Sequence, residues 1–269
     1  MLNEFADVIT DGVPPGLTPE RFLADGRKLE HRIPMKPGAR PKAQQPYKIS
    51  ATEGAALLRA LHKLSGKEWI RPSLSPYGSP LLLQRKKNGD LRICVDYRAV
   101  NHDTIKYAYP MPRIEELLAK VHGFSVVSKL DLSEGFHQIR IHPDDVCKTA
   151  FVTPYGAYEY LVMPIGLANA PAQFTLPMNS VFCDLTCCVV FMVDSLVFSK
   201  TLEDHHKDLR SVLQRLRDNT LYAAPKKCEL YRTSVEYLGH VISPQGSTVV
   251  PAKANAVKEW PTLKNLKEL

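Results

Sequence analysis

The sequence predicts an α/β fold of the α+β kind, antiparallel strands packed on helices, and three observations carry that expectation. Leu57, Leu58, Leu61 and Leu64 recur at helical spacing behind Ser50 and Glu53, which form a capping box. Residues 81–97 read as a hairpin, two apolar strands around Asn88-Gly89. Residues 189–199 read as another hairpin, two runs of β-branched and aromatic residues with Asp194 at the turn. A chain of 269 residues can bury a substantial core, as one large domain or two subdomains.

Composition narrows the classes. A net charge of +7 and a pI of about 9.0 suit a polyanionic partner without identifying it. Cys94, Cys147, Cys183, Cys187, Cys188 and Cys228 form no C-x-x-C pair and have no His at zinc spacing, which speaks against a zinc module. Cys187 and Cys188 lie in an apolar run, so reduced, buried thiols in an intracellular protein are expected. There is no run of 18 apolar residues and no charged start followed by an apolar block. Neither a membrane span nor a secretory signal is expected.

In chain order, residues 1–45 are rich in Pro, Gly and charge and read as an extended arm or linker outside the core. The helix behind Ser50 is broken by Arg71-Pro72-Ser73-Leu74-Ser75-Pro76. The 81–97 hairpin carries Arg85, Lys86, Lys87 and Arg92 about its tip, by themselves a solvated basic turn. Pro112 is expected near the first turn of a helix bearing Ile114, Leu117, Leu118 and Val121. Asp131 ends a strand-like run just before Ser133-Glu134-Gly135, and Gln138 and Arg140 alternate with Ile139 and Ile141 as on a strand.

Asn169-Ala170-Pro171 opens a helix through Phe174 and Met178, with Pro177 in its interior. An interior proline costs about 3 kcal/mol. Leu209, Val212, Leu213 and Leu216 make one helix face. His205-His206 read as solvated polar residues rather than a metal pair, because neighbours on a helix point apart. Strands are expected around 229–231 and 235–242, turning at Pro244-Gln245-Gly246, before a final amphipathic fragment from Ala252 to Leu269.

An aspartate at a turn is ordinary turn chemistry. Asp194 gains meaning beside Asp131, because two carboxylates at strand ends suit divalent cations held against phosphate. The stretches SKLDLSEGFHQIRI, KTAFVTPYGAYEYLVMPIGLANAPAQF, VVFMVDSLVFSK and EYLGHVIS follow one another in unbroken order. From about residue 28 onward the chain resembles the reverse transcriptase domain of gypsy-class LTR retrotransposon polyproteins, relatives of retroviruses.

That resemblance implies a right-hand polymerase. Fingers would span 46–105 and 139–169, the palm 106–138 and 170–245, and only the start of a thumb 246–269. It implies template-directed DNA synthesis by nucleotidyl transfer, with two Mg2+ ions (or Mn2+) about 4 Å apart. The implied partners are an RNA or DNA primer–template and deoxynucleoside triphosphates, with no membrane. Protease, ribonuclease H and integrase would accompany the domain in its parent polyprotein. The implied location is cytoplasm or nucleus, within a virus-like particle for an active element.

Residue by residue, the resemblance makes Asp131 and Asp194 the catalytic, metal-binding acids, with the Leu132 carbonyl an extra ligand. It places Lys86, Lys87 and Arg92 against the triphosphate and makes Phe136 a gate that leaves no room for a 2′-hydroxyl. Read alone, Phe136 is equally a core phenylalanine. Arg98 would contact the template backbone, and Leu238, Gly239 and His240 would hold the primer, glycine allowing close backbone approach.

The chain also departs from the family. Its metal hairpin carries an aromatic, any residue and two aspartates, where this chain has Phe191, Met192, Val193 and Asp194. Valine offers no donor atom, and the neutral hydroxyl of Ser195 is a poor Mg2+ ligand. A one-residue slip would make Asp194 the first of the pair, but both flanking strands fit the unslipped register. Pro177 stands where a helix former is usual, and the segment from Met178 to Phe191 is short for the family. Two readings follow: a polymerase core impaired at Val193, or a non-catalytic, degenerate or domesticated nucleic-acid-binding module. An interaction module without nucleic acid would be marked by loss of the basic fingertip, which is present.

Overall fold

The computed structural model describes residues 1–23, 26–85 and 91–251, together with Asn255 and Glu259. In chain order the elements are β1 (Glu30–His31), α1 (Ala51–Gly66), β2 (Ile70–Pro72), β3 (Ser79–Arg85), β4 (Leu91–Val95), α2 (Arg98–Asp103) and α3 (Ile114–Lys120). Then come β5 (Val126–Asp131), β6 (Arg140–Ile141), β7 (Phe151–Thr153), β8 (Gly156–Tyr160), α4 (Ala170–Phe182), β9 (Cys188–Phe191) and β10 (Asp194–Ser199). α5 (Leu202–Asp218), β11 (Glu229–Arg232), β12 (Val235–Tyr237), β13 (His240–Ser243) and β14 (Gly246–Val249) complete the order.

Local chemistry accounts for most boundaries. The Ser50 hydroxyl and the Glu53 carboxylate cap α1 reciprocally, as the sequence indicated. Thr201 caps α5, its hydroxyl accepting from the Asp204 N–H. Pro112 lies before the Arg113 cap of α3, not in its first turn. Pro177 does sit inside α4, which continues to Phe182 because Phe174, Met178 and Phe182 are all buried. Tyr237 and His240 pair across a two-residue turn, so the expected 235–242 strand is a tight hairpin.

The central sheet is antiparallel, in the order β11-β5-β10-β9. Its side chains alternate between two cores. Leu130 and Val197 face a large core shared with Leu209, Val212, Leu213 and Leu216 of α5. Val127 and Leu196 face a smaller core closed by Leu117 of α3 and by Val235, Tyr237 and Ile242 of the β12-β13-β14 sheet. A five-stranded sheet, β2-β8-β7-β3-β4, forms the other half of the molecule. Leu213 is fully buried, so Leu213→Ala should cost about 2–5 kcal/mol of unfolding free energy, read from urea denaturation.

Three expectations are corrected here. The N-terminal arm is extended but not outside the core: Phe5, Val8, Val13, Leu29 and Ile33 are buried within it. Asp7 and Glu4 pair with Arg217 and Arg210 of α5, at 2.6 and 2.5 Å. The Arg217 guanidinium lies 4.2 Å over the Phe5 ring. Gln138 is not an alternating strand residue; it ends a short 3₁₀ turn and is buried, bonded to the Ser133 and Tyr222 carbonyls. His205 is fully buried too, while His206 is exposed. Of the adjacent thiols Cys188 is buried and Cys187 half-buried, and all six cysteines are free.

Candidate active site

Asp131 is the last residue of β5 and Asp194 the first of β10, and the two are direct partners in the antiparallel register. Directly paired residues project to the same face with Cβ atoms about 4.5–5.5 Å apart. The hairpin is unslipped, as expected: Phe191 pairs with Asp194 across a two-residue loop, Met192-Val193. Asp194 therefore begins a strand rather than occupying the turn. Met192 has φ of 52°, a left-handed conformation costing a non-glycine residue about 1–3 kcal/mol. The Leu132 N–H donates to the Val193 carbonyl at 3.0 Å, tying this strained loop to the end of β5.

Burial raises the Asp194 carboxyl above the ordinary range, and the neighbouring Asp131 charge adds to it. A folded-state value above the unfolded one means that folding favours the protonated acid. Its stability contribution is complete below the ordinary carboxylate range and is lost as pH rises through the folded value. Asp194→Asn removes that loss. The variant should melt at or above the parent temperature near pH 7, with the difference vanishing toward about pH 3.

Asp131 has a partner that the sequence reading missed. The Lys227 ammonium lies 2.8 Å from Asp131 Oδ1. Lys227 closes a 3₁₀ turn, and Ala224 just before that turn donates its N–H to the Asp131 carbonyl at 2.8 Å. The only local signal was a Lys226-Lys227 pair behind Pro225.

Asp131 borders a cavity of about 620 Å³, with Gly135, Phe136, Val193, Lys227 and Arg92 also among its lining residues. Lys63 of α1 lines it as well, another cation missed by sequence. Phe136 is held in the 3₁₀ turn Gly135–Gln138, its ring centroid 5.3 Å from that of Phe174. Gly135 is a position where only glycine fits, since a Cβ there would stand 2.5 Å from Val193 Cγ1. The valine side chain thus fills the space between the hairpin and the 3₁₀ turn. Among the described residues no three of His, Cys, Asp and Glu converge as a metal cluster, so the acids stand as a pair.

The remaining candidates are dispersed. Lys86 and Lys87 lie outside the described residues. Arg92 is exposed on β4 and faces the cavity that Asp131 lines. Arg98 is held by Asp96 in a bidentate pair (2.9 and 2.6 Å), which depresses the Asp96 carboxyl to about 2; the arginine is not among the cavity's lining residues. Leu238 and Gly239 are both left-handed (φ 50° and 80°), the signature of a type I′ hairpin turn. The Tyr237 hydroxyl makes a long hydrogen bond, 3.5 Å, to the Asp194 carbonyl, and Lys129 Nζ donates to the Glu236 carbonyl at 2.9 Å. Strand β12, which leads into the Leu238-Gly239 turn, is thereby tied to β5 and to the first residue of β10.

The sequence model described as reverse transcriptase (RNA-dependent DNA polymerase) matches residues 84–242. The chain is 34% identical over 236 residues to the retrovirus-related Pol polyprotein from transposon 297 of Drosophila melanogaster, covering 85% of this chain and 22% of that protein. It is 38% identical over 202 residues to the transposon Tf2-3 polyprotein of Schizosaccharomyces pombe, covering 74% and 15%. The chain therefore spans less than a quarter of these relatives. Foamy viral protease–reverse transcriptase in complex with an RNA/DNA hybrid superposes with a TM-score of 0.82 at 22% identity, over 99% of this chain and 35% of that one. The same protein in complex with double-stranded DNA gives 0.85 at 22% identity, over 99% and 54%.

Proposed function

This chain belongs to the reverse transcriptase (RNA-dependent DNA polymerase) family, as a retrotransposon reverse transcriptase domain, and from that premise we propose that it is a nucleotidyl-transfer core weakened at Val193. The observation that carries the reading is the Asp194–Asp131 pairing, set beside a cavity lined by Arg92, Phe136 and Lys227. The substrates would be an RNA or DNA primer–template and deoxynucleoside triphosphates.

Under this reading Asp131 and Asp194 are the catalytic acids, and the Leu132 carbonyl lies next in the chain as a further oxygen ligand. Lys86, Lys87 and Arg92 meet the triphosphate. Phe136 stands where a 2′-hydroxyl would intrude. Leu238, Gly239 and His240 hold the primer, and Arg98 the template backbone through whatever part of its charge Asp96 leaves available. Residues 46–105 and 139–169 act as fingers, 106–138 and 170–245 as palm, and 246–269 as the start of a thumb. Protease, ribonuclease H and integrase belong to the longer polyprotein, working inside the cell.

Two adjacent carboxylates suit one Mg2+ or Mn2+, a hard cation that takes oxygen ligands and keeps several waters. A second ion would find no third carboxylate, because that position is the aliphatic Val193 packed on Gly135. A bound divalent ion would supply charge stabilisation at the phosphate oxygens. The chain's own groups set the acids' charge: Lys227 pairs with Asp131, and burial raises the Asp194 carboxyl.

The same valine favours a second reading, a module that binds primer–template without extending it. The two are separated by measuring primer–template binding and RNA-templated extension on one preparation. Binding without extension supports the module. Extension that is lost in Asp194→Asn supports the polymerase.

A further inference from the structure

We propose that His205 is a positioning residue for the acid pair, its imidazole clamping β5 to β10 from the sheet face opposite Asp131 and Asp194. The inference rests on the metal reading of those two acids. His205 stands in the first turn of α5, fully buried. Its Nε2 lies 2.7 Å from Ser128 Oγ on β5, and its Nδ1 lies 3.0 Å from Ser199 Oγ on β10. Ser128 pairs with Val197, so Ser128 and Ser199 are diagonal neighbours on adjacent strands. Such neighbours stand about 7–8 Å apart, a gap that one imidazole and two hydrogen bonds span.

The network has a single direction. Ser199 Oγ–H donates to Asp208 Oδ2, at 2.6 Å, which uses the hydroxyl's one proton. Ser199 then accepts from His205 Nδ1–H. The bare Nε2 accepts from Ser128 Oγ–H, and Ser128 in turn accepts the Tyr231 N–H at 3.0 Å. Four elements, β11, β5, α5 and β10, are thereby joined through one neutral imidazole. Burial lowers the imidazole value against the pull of Asp208, which keeps that neutral form in place. The Tyr231 ring packs edge-on at 5.3 Å and closes the site.

The consequence for the acids follows from strand periodicity. Ser128 is three residues from Asp131 and Ser199 is five from Asp194, odd separations that put each serine on the face opposite its acid. A one-residue slip of either strand would carry a serine away from His205 and an acid away from its partner in the same step. The backbone ladder alone does not choose the register. The clamp reinforces the choice made by the two apolar faces, because both its hydrogen bonds are satisfied in one register only.

The test compares the parent with His205→Leu and His205→Gln, following Mn2+ affinity by paramagnetic resonance and amide exchange at Leu132, whose N–H bonds to the Val193 carbonyl. His205→Leu should weaken Mn2+ binding and speed Leu132 exchange by about tenfold or more each, with exchange in the five-stranded sheet unchanged. His205→Gln, which can both donate and accept, should stay within about threefold of the parent. Should His205→Leu fail to fold, Ser128→Ala removes one arm of the clamp and carries the same expectation. A folded His205→Leu with parental Mn2+ affinity and parental Leu132 exchange would overturn the proposal. A parent chain that binds no Mn2+ would overturn the metal reading alone, and Leu132 exchange would still decide the role of His205.

Discussion

RNA-templated extension of a DNA primer by this chain should run at least about 10²–10³-fold below that of its Val193→Asp variant. The warrant is electrostatic. Removing one preorganised element aimed at charge that develops in the transition state costs about 3–4 kcal/mol. Val193 removes a negative ligand from a site built to hold divalent cations. Valine and aspartate have similar shapes, and Gly135 already leaves room for the γ atoms at this position. Pro177 does not block the restoration, since α4 runs through it and the hairpin beyond keeps its register. Three clustered acids repel, so Val193→Asp should also melt at a lower temperature than the parent, an exchange of stability for activity. Robust extension by the unaltered chain, abolished by Asp194→Asn, would sink the role assigned to Val193.

Primer–template affinity should fall about 40-fold between 50 and 200 mM salt if only three cations meet phosphate, each contributing about 0.9 to the logarithmic slope. With no triphosphate bound, Lys86, Lys87 and Arg92 are the three that would meet primer–template phosphate, and the net charge of +7 allows a steeper dependence still. Arg92→Ala should flatten the slope by about 0.9 and leave the melting temperature nearly unchanged, because the side chain is exposed. Fluorescence anisotropy on an RNA/DNA hybrid at several salt concentrations measures both. Affinity that stays flat across that range would point away from phosphate contacts and toward a protein-interaction role.

Features written in neighbouring residues were legible in the sequence. The Ser50–Glu53 capping box, the leucine face of α5 and the unslipped 189–199 hairpin each depend on spacings of a few positions. The pairing of Asp131 with Asp194 was legible as well, because both acids sit where an apolar run meets turn residues. What stayed hidden depends on distant partners. Phe5 and Val8 show no periodicity among their polar neighbours, and only the folded chain brings α5 and Ala223 to them. His205 looked solvated because serines at positions 128 and 199 decide its burial. Lys227 reaches Asp131 across 96 positions of sequence.

The N-terminal arm has a consequence for synthesis in the cell. Asp7 and Arg217 are 210 positions apart, and Arg21 bonds to the Asn219 and Thr220 carbonyls across a similar interval. At translation rates of about 5–20 residues per second, the arm leaves the ribosome about 10–40 s before its partners do. During that interval Phe5 and Val8 lack the partners that cover them, Arg217 and Ala223. Because loops of this length must close before their contacts reward them, docking of the arm comes late and slowly. Phe5 and Val8 therefore stay exposed as apolar surface until α5 has emerged.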